Sequence, residues 1–519
     1  MNIPSEFRQS MNWLHTWIGV AISCLLFLIF WTGTISVFDR EIDQWMVPEK
    51  RIISESENNL DQMVLPYLQA SEILAPASVF ITLSDERNPA IRVQIRGEQN
   101  ETVYFDPNSG QPLELTDSLG GTGFFMPFHY SFHLNWLRIG IWIVGFVTLG
   151  MLVLIVSGVF IHRKIFQDFF TFRSTAKVRR ASLDMHNLSG VLGLPFNFLI
   201  GLSGVAIFGQ IYFGWAGHTV YGGDELAERQ DQGFYFRPAG EQPGSLLASL
   251  DDFIVTSEAN WNINADEASK IDADRLNIMH YGDVNSYVSV QSLFPSRRVG
   301  LAQAVVDYDA SSGAVLNTSV RPPIRSGFLW IAGFHFVQFD HWPLRWLYFG
   351  AGLGGCVMIA SGLVFWMKAR VRRGDVEPKY VRVFRALAVA SITGIIIASG
   401  AFLIANRLLS REASFLSYDR SDLEVWAFLV AWIVSLFHAA LRDTKAWRDQ
   451  AAVIASVAIL AVLLNWVTTG DHLIKSIGSG VWSIAGIDLV LIVSAIVAVT
   501  SVFRLQKTER IRAQGDKET

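Results

Sequence analysis

Leu183 to Phe213 reads LDMHNLSGVLGLPFNFLIGLSGVAIFGQIYF. It sets Asp184 and His186 ahead of an apolar run that exceeds the ~20 residues needed to cross a bilayer. Ser203-Gly204 falls near the far end. The first apolar stretch of the chain repeats these features: His15 matches His186, Gly19 matches Gly190, Phe27-Leu28-Ile29 matches Phe198-Leu199-Ile200, and Thr32-Gly33 matches Ser203-Gly204. All fall at one offset, 15 to 186 or 32 to 203. The sequence therefore describes two copies of one membrane unit, each opening on a histidine at the same depth.

Composition agrees with alternation between lipid and water. The 519 residues are 51% hydrophobic and include 17 Trp, yet 17% are charged. The net charge of −5 divides into acidic long loops and basic short ones, which excludes a nucleic-acid partner and predicts a fixed topology among membrane lipids. Cys24 and Cys356 are the only cysteines. Both lie in apolar helices, so neither a disulfide framework nor a thiolate metal site is expected.

In chain order, residues 1–38 hold the first span, an uncleaved anchor. Residues 39–136 form a polar α+β domain, and 137–162 a second span. A basic loop (163–185) containing Arg163, Lys164, Arg173, Lys177, Arg179 and Arg180 is placed in the cytoplasm by its charge. The third span is 186–213, the second aqueous domain 214–340, and the fourth span 343–368, which ends in Lys368, Arg370, Arg372 and Arg373. A four-helix membrane unit fills 383–503, and 504–519 is a cytoplasmic tail. The fold class predicted is thus a polytopic α-helical membrane protein with about eight spans, built from duplicated two-helix units. Both termini face the cytoplasm, and two α+β domains lie beyond the membrane. Asp106 followed by Gly110, mirrored by Asp309 followed by Gly313, marks one hairpin turn in each copy.

The eleven histidines sort by depth. His15, His162 and His186 fall at the cytoplasmic ends of the first three spans. His129, His133, His335 and His341 precede the second and fourth. A single histidine at a boundary is ordinarily an interfacial polar residue, but these recur: His15 with His186, and His129/His133 with His335. Glycines recur beside them, Gly33 and Gly204 in the first and third spans, Gly158 and Gly362 in the second and fourth, each after a Ser or Thr. Two facing histidines, with small residues where a macrocycle presses on backbone, are what a bis-imidazole b-type haem requires. Close helix packing explains the glycines equally well, and Ser399-Gly400, which has no boundary histidine, illustrates it. His218, His280, His438 and His472 have no repeat partner and are read as structural. Metal motifs of the HExxH or CxxC kind and dinucleotide or P-loop signatures are absent.

The motifs His15-x-Trp17-x-Gly19, Phe38-Asp-Arg-Glu41-Ile-Asp, His129-Tyr-Ser-Phe-His133, Ser157-Gly-Val-Phe-Ile-His162-Arg-Lys, Asp184-Met-His186-Asn, His335 and Leu344-Arg-Trp-Leu-Tyr348 resemble those of the PepSY-associated transmembrane proteins. That family includes the FoxB-type and PiuB-like ferric-siderophore reductases of Gram-negative inner membranes. The resemblance covers about residues 10–370 and implies two periplasmic PepSY domains on a four-helix core that carries two b haems. His341 and the helices after Lys379 match nothing in it.

The function expected is an inner-membrane di-haem reductase that takes electrons from a cytoplasmic or quinol donor and reduces a periplasmic ferric siderophore. Hard-anion chelators prefer Fe³⁺, so one electron weakens every oxygen ligand together. The alternative is a non-enzymatic anchor or sensor whose PepSY domains bind a peptide or protein. For the inner haem the expected ligands are His15 and His186, with His162 the competitor. For the outer they are His335 with His129 or His133.

Overall fold

The structure, a computed structural model, describes residues 4–53, 59–71, 77–98, 100–162, 173, 178–224, 227, 235–244, 247–263, 270–293, 301, 304–319, 323–371 and 377–515. Arg163, Lys164, Lys177, Arg372 and Arg373 of the expected basic clusters lie outside them. The elements that matter here are α1 (Ser5–Ser36), α2 (Asp39–Met46), α3 (Leu60–Ala70), strands β1 (Ala77–Thr82), β2 (Ile91–Arg96), β3 (Glu101–Phe105) and β4 (Pro112–Leu113), then α4 (Met126–Ser131), α5 (Ile139–Ile161), α6 (Val178–Leu192) and α7 (Leu194–Ile207). They continue with α8 (Leu250–Trp261), β5 (Arg275–Tyr281), β6 (Tyr287–Ser292), β7 (Ala304–Asp309), β8 (Val315–Ser319), α9 (Pro323–Phe336) and α10 (Trp342–Arg370). The chain ends with α11 (Lys379–Val389), α12 (Ile395–Leu408), α13 (Arg420–Arg442), α14 (Ala446–Thr469) and α15 (Trp482–Gly515). Two compact units result, one of residues 1–48, 116–202 and 346–519, the other of 49–115 and 203–345.

The first unit is helical. Among the described residues six helices are long and apolar enough to cross a membrane, or seven if the bent pair α6–α7 counts as one. One of the six, Arg420–Thr469, runs for 50 residues but breaks into α13 and α14 at Asp443, whose φ is +54°. Apolar side chains face outward along these helices, while backbone groups are satisfied within each helix, the one arrangement a hydrocarbon environment permits for a single span. In α1 the hydroxyls of Thr32, Thr34 and Ser36 donate to the carbonyls of Leu28, Phe30 and Thr32, four residues back, so their polarity is also spent inside the helix.

The stretch expected as the third span, 186–213, is bent by 66° between α6 and α7. Gly193 and Pro195 are the cause: Pro195 has no N–H for the Val191 carbonyl, and its ring crowds the preceding turn. The helix also begins earlier, at Val178, inside what reads in sequence as a basic loop. Asp184 is paired there with Arg180 at 3.1 Å, one helical turn away.

The second unit is built on one sheet of eight strands in the order β4-β3-β2-β1-β5-β6-β7-β8. Each repeat contributes an antiparallel meander of four strands after one helix, and the two meanders join through β1 and β5, with Val79 opposite Ile278 and Ile81 opposite Leu276. Alternation of side chains sends Val79, Ile81, Ile91, Val93, Leu276, Ile278, Val288 and Val290 to one face. There they pack with Leu60, Val64 and Leu68 of α3 and Leu250 and Phe253 of α8. Each such residue, fully buried, contributes about 1.5–3 kcal/mol. Both hairpin signatures form as the sequence predicts. Gly110 (φ +69°) and Gly313 (φ +71°) take the left-handed position, and their N–H groups donate to the carbonyls of Asp106 (2.8 Å) and Asp309 (3.0 Å).

Candidate functional site

The four repeated glycines and four boundary histidines meet one to one. A Cβ on Gly158 would stand 3.4 Å from Cε1 of His15, and one on Gly362 would stand 2.9 Å from Nδ1 of His186. On Gly33 it would lie 2.6 Å from Cε1 of His129, and on Gly204, in the second unit, 3.0 Å from Cε1 of His335. Each imidazole thus lies across a bare stretch of helix that any other residue would narrow or close.

The hydrogen bonds explain why the ring must come so near. Nδ1 of His15 donates to the carbonyl of Leu154 (3.0 Å), Nδ1 of His186 to that of Met358 (2.8 Å), and Nδ1 of His129 to that of Ile29 (2.8 Å). In every case the acceptor is the residue four before the glycine, whose carbonyl already serves the helix. Its second lone pair is reachable only where no Cβ stands in the way. The hydroxyl before each glycine turns to the same carbonyl: Ser157 to Leu154 (3.1 Å), Ser361 to Met358 (3.0 Å) and Thr32 to Ile29 (3.4 Å). The Ser/Thr-Gly pair is therefore half of a histidine receptor. In the second unit Nδ1 of His335 lies 3.0 Å from Oγ of Ser203, as Nδ1 of His15 lies 3.1 Å from Oγ of Ser157.

A carbonyl oxygen can only accept, so Nδ1 carries the proton in His15, His129 and His186. A neutral ring then keeps its lone pair on Nε2. A metal-binding histidine uses this tautomer, held from behind by a backbone carbonyl.

His15 and His186 face one another in one cavity. Their ring centres are 6.3 Å apart and their planes 77° apart. Two imidazoles trans on one metal, with nitrogens ~2 Å from it, have centres about 6 Å apart, so the spacing fits a single shared ion. The cavity, of about 300 Å³, is lined by α1, α5, α6, α7 and α10, and this volume is at the lower end of the ~300–1,000 Å³ usual for ligand sites. Apolar residues such as Leu154, Ile359 and Leu363 make up much of its wall. Asn197, 1% exposed, also lines it, and its Oδ1 has no partner among the described residues. His162 ends α5 and lines the same cavity together with Trp366 and Arg370, whose guanidinium sits 4.1 Å from the Trp366 ring centre. Among the described residues no glycine bears His162. Among the described residues there is no group of three or more His, Cys, Asp or Glu able to hold a bare metal ion; a porphyrin, which brings four nitrogens itself, needs only two from protein.

His129 and His133, indistinguishable in sequence, are separated by the end of α4. Phe132 (φ +51°) and His133 (φ +56°) both take left-handed backbone, so the two histidines share no helical face. His129 goes to Gly33. His133 stacks on Phe124 with ring centres 5.1 Å apart, and its Nε2 donates to the Phe124 carbonyl at 2.9 Å, so its lone pair is on Nδ1, the tautomer opposite to that of His129. The unmatched histidines do local work: Nε2 of His280 donates to the Arg237 carbonyl (2.8 Å), Nδ1 of His472 accepts from the N–H of Lys475 (3.2 Å), and Nδ1 of His438 lies 3.4 Å from the Gln450 amide. The carbonyls of Ile29, Leu154 and Met358 left no trace in the sequence beyond the glycine four residues on.

A family profile described as the PepSY-associated TM region matches residues 12–369, a span that includes all four histidine–glycine contacts. The chain belongs to this family. It is also 26% identical over 292 residues to the "Uncharacterized protein PA4219" of Pseudomonas aeruginosa, a match covering 52% of this chain and 69% of that one. The PepSY-associated TM region profile ends at residue 369, at the close of α10, so α11 to α15 lie beyond it.

Proposed function

We propose that the protein is a b-haem ferric-chelate reductase of the bacterial inner membrane, drawing electrons from a cytoplasmic or quinol donor and releasing Fe²⁺ from a ferric siderophore in the periplasm. Each ferric chelate takes up one electron, so a quinol would serve two and shed two protons. The observation that carries the reading is the pair His15 and His186, their Nδ1 atoms fixed on backbone carbonyls and their rings 6.3 Å apart across a cavity. Bound there, a b haem would supply a one-electron Fe³⁺/Fe²⁺ couple.

The chain's own residues do the rest. Leu154 and Met358 hold the two tautomers, and Gly158 and Gly362 let the rings approach. The apolar wall excludes water and lowers the local dielectric, which tunes a potential as strongly as ligand identity does. His162, Trp366 and Arg370 at the helix ends offer donors suited to carboxylates. His129 lies over Gly33 with Nδ1 on the Ile29 carbonyl, and His335 lies over Gly204 beside the Ser203 hydroxyl; each, within its own unit, is a candidate ligand for a further haem.

A reduced-minus-oxidised spectrum of purified protein, with a haem-to-chain ratio, tests this. The expected result is two low-spin b haems per chain and Fe²⁺ release from a ferric hydroxamate on reduction. Protein expressed with haem available that shows no α-band would sink the reading.

A further inference from the structure

Three of the helices beyond the family profile, α12, α13 and α15, converge on the segment that delivers His129 and on the α2 beside it. That segment starts at Ser118, passes Gly120 (φ +60°), winds through a π-helical turn at Gly121–Phe125 and continues as α4. From one side α2 grips it: the Asp43 carboxylate, buried, accepts from the N–H of Gly121 (2.7 Å), the N–H of Thr122 (3.1 Å) and the hydroxyl of Thr122 (2.6 Å). From the other side the later helices grip it. Phe402 of α12 stacks on Phe124 with ring centres 4.4 Å apart, and Phe428 of α13 meets Phe124 at 4.8 Å and Phe128 at 5.5 Å. Phe124, Phe402 and Phe428 are each 1% exposed or less. Polar contacts anchor the start of the segment. Glu424 accepts from Ser118 (2.7 Å), Asn406 (2.7 Å) and Arg420 (2.6 Å), and the N–H of Ser421 donates to Asp117 at 2.9 Å. The α2 grip is itself held, since Nε1 of Trp45 donates to Asp488 of α15 (2.9 Å) and Arg407 lies 4.6 Å over the Trp45 ring.

Three later helices contributing one aromatic stack and one buried ion pair to a single short segment, and one indole clamp to the α2 that grips it, is more than loose packing needs. We infer that α12, α13 and α15 serve as a brace that sets the position of His129, with Phe402, Phe428 and Glu424 as positioning residues; the inference rests on the reading above that His129 is a haem ligand. His129 sits four residues beyond a π turn and three before a left-handed break, so its own helix is too short to hold it. The aromatic stack fixes the helix laterally and the Glu424 network fixes its entry.

The test uses the full-length protein with Phe402→Ala, Phe402→Leu and Glu424→Gln. Hydrogen exchange is followed across residues 121–131, and the electron paramagnetic resonance signature and midpoint potential of each haem are recorded. Phe402→Ala should speed exchange in 121–131 roughly tenfold and shift or remove the haem signal that His129→Ala also removes, leaving the His15/His186 signal in place. Phe402→Leu should recover most of both. Unchanged exchange together with an unchanged signal would overturn the brace; so would faster exchange with an unchanged signal, which reduces these helices to packing. If Phe402→Ala does not accumulate in the membrane, Glu424→Gln is read by the same criteria. Wild-type protein without haem would refute the reductase reading alone, and the exchange measurement would still decide whether α12 and α13 restrain 121–131.

Discussion

Gly158 and Gly362 lie on opposite walls of one cavity, and the structure assigns them different tolerances to the same added methyl group. A Cβ at residue 362 would stand 2.9 Å from Nδ1 and 3.1 Å from Cε1 of His186; at residue 158 it would stand 3.4 Å and 3.7 Å from the corresponding side of His15. Carbon contacts become comfortable near ~3.5 Å, so Gly362→Ala drives the His186 ring back by roughly 0.5 Å. The Nδ1 to Met358 hydrogen bond, 2.8 Å long, then stretches beyond the ~3.2 Å limit of a good N–H···O contact. A weakened bond to a buried donor costs about 1–2 kcal/mol, or about 5- to 30-fold in haem affinity. Gly158→Ala should change it by no more than about twofold, since its Cβ would stand 3.4 Å from the His15 ring, already near ordinary contact. Titrating haem into haem-free protein in detergent, with the α-band as signal, gives both affinities. Equal losses in the two variants, or a larger loss in Gly158→Ala, would refute the claim that ring approach over glycine is what holds the histidine.

His129→Ala should lower haem content from two per chain to one, whereas His133→Ala should retain both haems and lose about 1–2 kcal/mol of thermal stability from the Phe124 stack and hydrogen bond; pyridine haemochrome assay and a melting curve separate them. His162→Ala should keep the haem at His15/His186 with affinity within roughly tenfold, since its expected role is to a carboxylate and not to the metal; loss of that haem would reverse the ligand assignment. In the sheet unit, burial acts to raise the Asp309 pKa, but hydrogen bonds from Ser312, Ser311 and Arg237 prevail and hold the carboxyl well below the usual range. A depressed folded value means stabilisation that is fully present above the unfolded value of ~3.9 and fades as pH falls toward the folded one. Asp309→Asn should therefore lower the melting temperature at pH 7 and lower it progressively less as pH falls from about 4 toward 2, as followed by circular dichroism of the β signal.

What the sequence disclosed, and what it hid, divides by range. The duplication, the multi-pass helical character and the pairing of boundary histidines with Ser/Thr-Gly pairs were legible because a bilayer imposes length and a repeat imposes spacing; the expected count of about eight spans compares with six or seven helices of sufficient length among the described residues. Both Asp-to-Gly hairpins were legible because a turn is settled within five residues. The different settings of His129 and His133 were not, since nothing in Tyr-Ser-Phe announces the left-handed backbone at Phe132. Gly193-Leu-Pro195 did announce a bend, and the apolar run around it drew the eye past. The single sheet could not be foreseen, because the β1–β5 pairing joins residues almost two hundred apart. The family, expected from its motifs, is confirmed by the match to residues 12–369.

The seam between the two meanders has a further meaning. β1 and β5 run antiparallel, and Ile81 opposite Leu276 lies where both strands make equivalent pairings onward, Ile81 to Val93 and Leu276 to Val290. The contact is thus isologous: one edge meeting its own copy about a local two-fold axis. A half-length chain would expose the β1 edge as a row of unpaired amides and carbonyls, an open template for any passing strand. Duplication encloses that edge within one polypeptide, where its mate is always at high effective concentration. It leaves outermost only β4, two residues long, and β8, five residues long, so the sheet offers little purchase for further strand addition.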